Sequence, residues 1–352
     1  MKEGQPFRPA NPTETRGPSP SPTGPNPTSW KSSILNGGGA LAAAALIVVP
    51  LWMLLSNPAV LGGHPALPTL LAAAVALGIL WTLILVRPWF FGDKQQRSGD
   101  ISTWQLVRGI AGRLTVLGLV AALMWLSPFP NQPDHENTVP ANGSTATAPA
   151  GSRAAEDATS ITLAPAGQAT TGLVFYPGAR VDAHAYQELL QPLAAAGHLV
   201  VILKVPLGVS LLDTNQARAA MDRHPEVASW AVGGHSLGGV SASSFAASNH
   251  DVAGLLLFAS YPAETLTDAQ GLSVLSISGS NDGLSTPDKI AASRSLLPPT
   301  TTYATVVGGV HAFFGDYGEQ PGDGEPGISR NEAQQQIVAE SLRFMDRLKA
   351  SG

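Results

Sequence analysis

Apolar residues fall into two patterns along this chain. Between Leu35 and Phe129 they form long unbroken runs, and beyond residue 160 they come in short bursts separated by polar stretches. The long runs are Leu35 to Leu55, Ala66 to Val86 and Ile110 to Phe129; the first two carry no charge, and the third carries only Arg113 near its start. Each is about 20 residues, the length at which an α-helix crosses roughly 30 Å of hydrocarbon. A buried helix of a soluble core would usually show a polar stripe, which the first two lack. The pattern therefore predicts three membrane spans, at about 35–55, 66–86 and 110–129. A cleaved signal peptide does not fit, because the first run begins behind a long proline-rich tract and two further runs follow.

The short bursts predict alternating strands and helices. Strands are expected at 172–176, 199–203, 230–232, 255–259, 273–278 and 303–307, and helices at 182–196, 215–224, 237–248, 287–297 and 331–349. Short apolar strands alternating with helices mean a mostly parallel sheet covered on both faces, with ligand sites at the carboxyl ends of the strands. The expected fold class is α/β, a mostly parallel sheet flanked by helices and preceded by three transmembrane helices.

Composition separates these parts. Residues 1–32 are rich in Pro, Ser, Thr and Gly and are expected to be a disordered tail, 33–129 the membrane region, 130–160 a flexible polar linker, and 161–352 the globular domain. The linker contains Asn142-Gly143-Ser144, a glycosylation triplet of a kind common by chance. It is long and polar enough to let the domain move away from the bilayer and work without its anchor. Lys2, Arg8, Arg16 and Lys31 precede the first run, and Arg87, Lys94, Arg97, Arg108 and Arg113 lie between the second and third. Ser56 to Pro65 holds no Lys or Arg, and none follows the third run until Arg153. The positive-inside rule then predicts a multi-pass plasma-membrane protein with a cytoplasmic N-terminus and an extracytoplasmic globular domain. Arg113, near a span end, is expected to snorkel to the interface. A net charge of −5 gives no electrostatic basis for nucleic-acid binding, and the absence of cysteine removes thiolate nucleophiles, disulfides and Cys-ligated metals.

The chemistry sits at predicted strand ends. Gly234-His235-Ser236-Leu237-Gly238 follows a strand and opens a helix, as a nucleophile elbow requires: the serine occupies a sharp turn, and its neighbours two before and two after need glycine. In this arrangement the chain order is serine, acid, histidine. Asp282 follows the next-to-last strand and is the expected acid. Asp288 is the runner-up, better explained as a charge at a helix start, and Asp213 and Asp251 adjoin the wrong elements. His311 follows the last strand and alone completes the order as base; His184, His198, His224 and His250 do not, and His235 is expected to pack within the elbow. Oxyanion donors are expected from the N–H of Leu237 at the helix start and of Ala179 in the loop after the first parallel strand, with Gly178 as the alternative. Arg180 and Lys204 lie on the site side and are possible contacts for a substrate carboxylate or phosphate, against the plainer reading of solvated charges or local salt bridges.

Tyr176-Pro177-Gly178-Ala179-Arg180-Val181-Asp182, Gly234-His235-Ser236-Leu237-Gly238-Gly239, Gly279-Ser280-Asn281-Asp282-Gly283 and His311-Ala312-Phe313-Phe314-Gly315-Asp316-Tyr317-Gly318 together resemble the bacterial α/β-hydrolase fold-5 family. The likeness covers about residues 165–349 and leaves out the spans. It implies a Ser236–Asp282–His311 triad and fixes no substrate. The expected activity is that of a serine hydrolase of carboxylesterase type, acting through an acyl-enzyme on a small-molecule ester or lipid-like substrate, with no cofactor or metal. An acyltransferase using the same triad, and a non-catalytic membrane-tethered binding protein on this scaffold, are the rivals. The dozen or so residues between the strands near Ser260 and Ser273 are too few for a cap domain, so an open site is expected.

Overall fold

The computed structural model describes residues 27–91, 101–132 and 152–351. The expected N-terminal tail lies outside these residues up to 26, and most of the expected linker lies outside them at 133–151.

Helices α1 (Pro27–Ser56), α3 (Ala66–Phe91) and α4 (Thr103–Trp125), with the short α2 (Pro58–Gly62) between the first two, make up the N-terminal part. Three of them contain stretches long and apolar enough to cross a membrane: Trp30–Ser56, Ala66–Arg87 and Thr103–Trp125. The third starts and ends earlier than its apolar run. Ser102 and Gln105 form a reciprocal capping box that fixes the start, with Gln105 N–H donating to Ser102 Oγ at 3.2 Å and Ser102 N–H to Gln105 Oε1 at 3.0 Å. The helix stops before Pro128, and Phe129 belongs to a different structure described below. Arg113 has its partners within the helix group. Its guanidinium donates to the carbonyls of Leu35, in α1, at 2.8 Å and Gly109 at 2.6 Å, which satisfies the charge against backbone inside the helix group. Exposed Trp52 and Trp125 lie near the end where α1 and α4 finish and α3 begins; exposed Trp30, Phe90 and Trp104 lie near the other end. Two such levels match the aromatic belts of a bilayer.

The globular part is an eight-stranded sheet of order β1-β2-β4-β3-β5-β6-β7-β8. Its strands are β1 (Ser152–Glu156), β2 (Ser160–Pro165), β3 (Thr171–Tyr176), β4 (Leu199–Leu203), β5 (Ser229–His235), β6 (Val252–Phe258), β7 (Ser273–Gly279) and β8 (Thr302–Val306). From β4 to β8 the pairings are parallel, and β1 and β2 add an antiparallel edge. The six strands read from the sequence are all present. The edge strands replace the end of the expected linker: the sheet begins at Ser152, inside the segment 130–160, because Ile161 and Leu163 turn inward and complete the pairing with β4. Alternation along β3 feeds both faces. Leu173 and Phe175 join α5 (Gln187–Ala195) and α9 (Arg330–Ser351), while Val174 and Tyr176 join α6 (Gln216–Asp222) and α7 (Leu237–Ser248). Helix α8 (Pro287–Ser293) completes the set. Among the described residues, 261–272 between β6 and β7 contain turns and no helix, so no cap is inserted there.

The two parts touch, and they do so at the carboxyl ends of β3 and β4. Phe129 N–H donates to Arg180 O at 2.6 Å and Asp182 N–H to Phe129 O at 3.0 Å, making a parallel bridge between Phe129 and Val181. Gln132 N–H donates to Asp316 O at 2.7 Å, and Asn57 Nδ2 holds the stem from the other side through Pro128 O at 2.8 Å. A nearly filled interface follows, in which Ala59, Val60 and Leu126 face Pro177, Val181 and Val205. The segment expected to let the domain drift is, at its start, a strap that pins it. Phe129→Pro removes one donor of this bridge; the Asp182 amide is expected to exchange with deuterium roughly tenfold faster, the loss of about one hydrogen bond. Native-state exchange of the detergent-solubilised chain reads this, with the amides of β5 and β6 as the unchanged reference.

Candidate active site

The residues singled out in the sequence meet at the carboxyl ends of β3, β5, β7 and β8. Ser236 follows β5 with φ 52° and ψ −122°, a conformation that L-residues rarely hold. The turn closes because its flanks lack side chains. A Cβ at Gly234 would overlap the Gly238 backbone, and one at Gly238 would overlap the Tyr176 carbonyl. Ser236 N–H donates to Phe258 O at 3.0 Å, and Ser260 Oγ donates to Ser236 O at 2.6 Å, so the end of the neighbouring β6 clamps the strained peptide from both its N–H and its carbonyl. Ser236 remains partly exposed while most of β5 is buried.

Asp282 and His311 form a buried pair, with His311 Nδ1 2.8 Å from Asp282 Oδ2. The other carboxylate oxygen accepts from the N–H groups of Leu284 at 2.8 Å and Ser285 at 2.7 Å, which fixes the carboxylate plane. His311 Nε2 is buried without a hydrogen-bond partner among the described residues. The alternatives are otherwise engaged. Asp288 is exposed in the first turn of α8, and Asp251 pairs with Arg218 at 2.7 Å. His184 is held by Asp182, His198 lies 2.6 Å from Thr171, His224 pairs with Glu226, and His250 is exposed.

For the oxyanion donors, Gly178 N–H is taken by Tyr186 Oη at 2.9 Å. Among the described residues, the N–H groups of Ala179 and Leu237 donate to no backbone carbonyl. The Tyr186 hydroxyl in turn meets His235 Nδ1 at 2.9 Å, and the His235 ring lies 4.6 Å from that of His311 and stacks on Phe314. His235 therefore packs beneath the elbow as expected. Burial, together with the neighbouring His311, holds its pKa well below the usual histidine value.

Arg180 and Lys204 do not face a vacant site. The Arg180 guanidinium lies 4.5 Å over the Trp125 ring and 5.0 Å over Phe129 and donates to Trp125 O, while its backbone is left-handed at φ 59°. Lys204 is buried and paired with Glu156. Both are structural: one ties the loop of Ala179 to the stem, the other ties β4 to the edge strand. Asp323 is a member of the site that the pattern of residues did not mark. Its carboxylate accepts from the N–H groups of His311 at 3.0 Å, Ala312 at 2.8 Å, Gly283 at 3.2 Å and Gly324 at 2.8 Å, binding the acid loop to the histidine loop. Only the flanking Gly322 and Gly324 hint at it; a Cβ at Gly324 would strike Asn281 O. The roomiest hollow among those described, about 660 Å³ between Leu272–Val274 and Pro298–Thr300, lies at the opposite end of the sheet, away from these residues.

A parallel sheet with a strained serine between β5 and α7, and a buried Asp–His pair after β7 and β8, defines the α/β-hydrolase fold. A family model described as the alpha/beta hydrolase family matches residues 172–336. Among solved structures, a dienelactone hydrolase-like promiscuous phosphotriesterase, P91, from metagenomic libraries is similar at 18% identity. The match covers 54% of this chain and 92% of that one, with a TM-score of 0.43. A structure titled m3DLH matches at 18% identity over the same shares, with a TM-score of 0.42. No curated protein matches the chain.

Two outcomes check this geometry. Asp323→Ala is expected to cost roughly 2–4 kcal/mol of local stability, as charge-assisted bonds to several amides are lost. Faster hydrogen exchange at His311 and Ala312 measures it, and unchanged protection there would contradict the clamp. Second, His235 is a histidine whose folded pKa is depressed. Below the unfolded value of 6.5 the unfolded chain binds a proton that the folded chain refuses, so stability falls as pH drops through 6.5. His235→Gln is expected to flatten this acid limb in denaturant titrations between about pH 4 and 7.

Proposed function

We propose that this chain is a membrane-anchored serine hydrolase of carboxylesterase type, with Ser236 as nucleophile, His311 as general base and Asp282 as the residue that orients it. The observation that carries the reading is the buried Asp282–His311 pair, whose remaining ring nitrogen Nε2 has no other partner among the described residues, next to a serine on a strained, glycine-flanked turn. The hydroxyl of Ser236 is not bonded to Nε2 in the free enzyme; such bonds are often long before substrate binds and tighten with it.

In this mechanism Ser236 Oγ attacks the ester carbonyl carbon and its proton passes to His311 Nε2. The carbonyl electron pair moves onto oxygen, where the N–H groups of Ala179 and Leu237 receive it; Leu237 adds the positive end of α7. Collapse of the tetrahedral species expels the alkoxide, which takes the proton from His311. Water then repeats the sequence on the acyl-enzyme and regenerates the serine hydroxyl. The Asp282 carboxylate, fixed by the Leu284 and Ser285 amides, stabilises the imidazolium between the two transfers.

The hydrolase domain is placed outside the cytoplasm and the N-terminus inside, on the strength of the Lys and Arg distribution around the spans. An alkaline phosphatase fused after Gly352 is expected to be active, and a reporter that fluoresces only in the cytoplasm is expected to be dark there. Ser236→Ala is expected to lower kcat by about 10⁴-fold or more while leaving the thermal transition of the domain unchanged. It is also expected to abolish labelling by a fluorophosphonate. Labelling of the variant at the wild-type rate refutes the assignment. An acyltransferase would show instead turnover that rises with added alcohol acceptor.

A further inference from the structure

The segment from Pro206 to Leu212, which follows β4, touches three things together. Its Gly208 carbonyl accepts from Arg180 N–H at 2.7 Å, next to the proposed oxyanion donor Ala179. Ser210 Oγ lies 3.4 Å from Leu237 O and accepts from Ser241 Oγ at 2.7 Å, which fixes the segment against the helix behind the nucleophile. On its other side, Pro206, Leu207 and Leu212 meet Ala66, Thr69 and Leu70, the first turns of the membrane-length stretch Ala66–Arg87, around an open groove of about 440 Å³. The groove offers almost no polar surface. Thr69 Oγ1, its one side-chain hydroxyl, is satisfied by Pro65 O at 2.7 Å.

Leu207 adds a second, independent observation. It stands at φ 54°, ψ 18°, a left-handed conformation in which glycine would be comfortable and a leucine is strained. Its side chain packs against the apolar cluster of Leu67, Leu71, Val120 and Leu123 between the membrane helices. The strain is held in place by an apolar wedge that enters the anchor. Leu211 and Leu212 follow it at 49% and 58% exposure, and Leu61 on α2 is 63% exposed. Leu212 meets the first turns of α3 and Leu61 lies in the short helix just before it, at the end of the helix group where α1 and α4 finish. Apolar surface at the end of a membrane span is covered by lipid rather than by water.

Building on the serine-hydrolase reading, we propose that the enzyme draws its substrate laterally from the bilayer. The substrate is an ester with a long acyl chain that lies in the groove between Leu207, Leu212 and Leu70 while the ester bond reaches Ser236. The reaction is the one written above, with the acyl chain on the carbonyl side and a free fatty acid released after water attacks the acyl-enzyme.

The test uses the full chain reconstituted into phosphatidylcholine vesicles. Two esters are compared: a water-soluble p-nitrophenyl butyrate, and a fluorogenic palmitoyl ester incorporated in the same vesicles. The readout is the ratio of the two kcat/KM values. Leu212→Asp, on an exposed position that tolerates charge, is expected to lower the palmitoyl-to-butyryl ratio by about tenfold or more, whereas Leu212→Met keeps it within about twofold. A ratio that Leu212→Asp leaves within about twofold of wild type overturns the groove, as does a wild-type enzyme labelled by fluorophosphonate at Ser236 that turns over only the soluble ester. A wild-type chain that hydrolyses neither ester and takes no label overturns the serine-hydrolase reading itself, and the groove proposal with it.

Discussion

The peptide at Ser236 is held where few residues will go. Its positive φ costs on the order of 1–3 kcal/mol, and it survives because the surroundings leave it no alternative. Gly234 and Gly238 let β5, α7 and the Tyr176 carbonyl close to backbone contact, and Phe258 and Ser260 bind the peptide from the next strand. The other parts of the site are arranged around this point. The buried pairing of β3, β5 and β6 sets where the turn falls, and the Asp282 and His311 loops are fastened to each other by Asp323 rather than to the serine. Two separately braced units, an elbow and a joined acid–histidine loop pair, therefore face one another across the strand ends.

Most of this architecture was legible because it depends on local pattern. Six strands were short apolar runs bounded by turn residues, and the elbow, the acid and the histidine each sat at a strand end that the pattern located. What escaped had no local signature. Strands β1 and β2 are mixed in polarity, and only the antiparallel register against β4 makes Ile161 and Leu163 core residues. Asp323 looks like one more acid in a Gly- and Pro-rich loop until four amide groups converge on it. Arg180 and Lys204, read as possible substrate contacts against the plainer reading of local charges, are a related case. Position at the site end of a sheet says nothing about which way a long side chain turns, and here Trp125 and Glu156 claim them.

The union of anchor and domain could not have been read from composition either. Proline, alanine and serine after the third helix look like a flexible tether, yet the first residues of that stretch add a backbone bridge at Phe129 and a ring over which Arg180 lies. Backbone pairing carries no residue preference strong enough to appear in a single sequence. The same bridge reaches the loop of Ala179 on one side and, through Gln132 and Asp316, the loop that follows His311 on the other. The helix group and the candidate site are thus separated by a few bonds, and the helices pack as a structural element against the domain rather than holding it on a leash.

The docking of the strand ends onto one end of the helix group has a consequence for how concentration is counted. A domain on a long tether samples a volume, and its encounters scale with molarity in the surrounding fluid. A domain held by the Phe129 bridge and the Leu207 wedge keeps one orientation and one height. On the membrane-anchored reading proposed above it would meet what diffuses in the plane beside it, so the quantity governing its saturation would be mole fraction in the surface, and diluting the lipid surface would slow it even with the bulk amount of lipid unchanged.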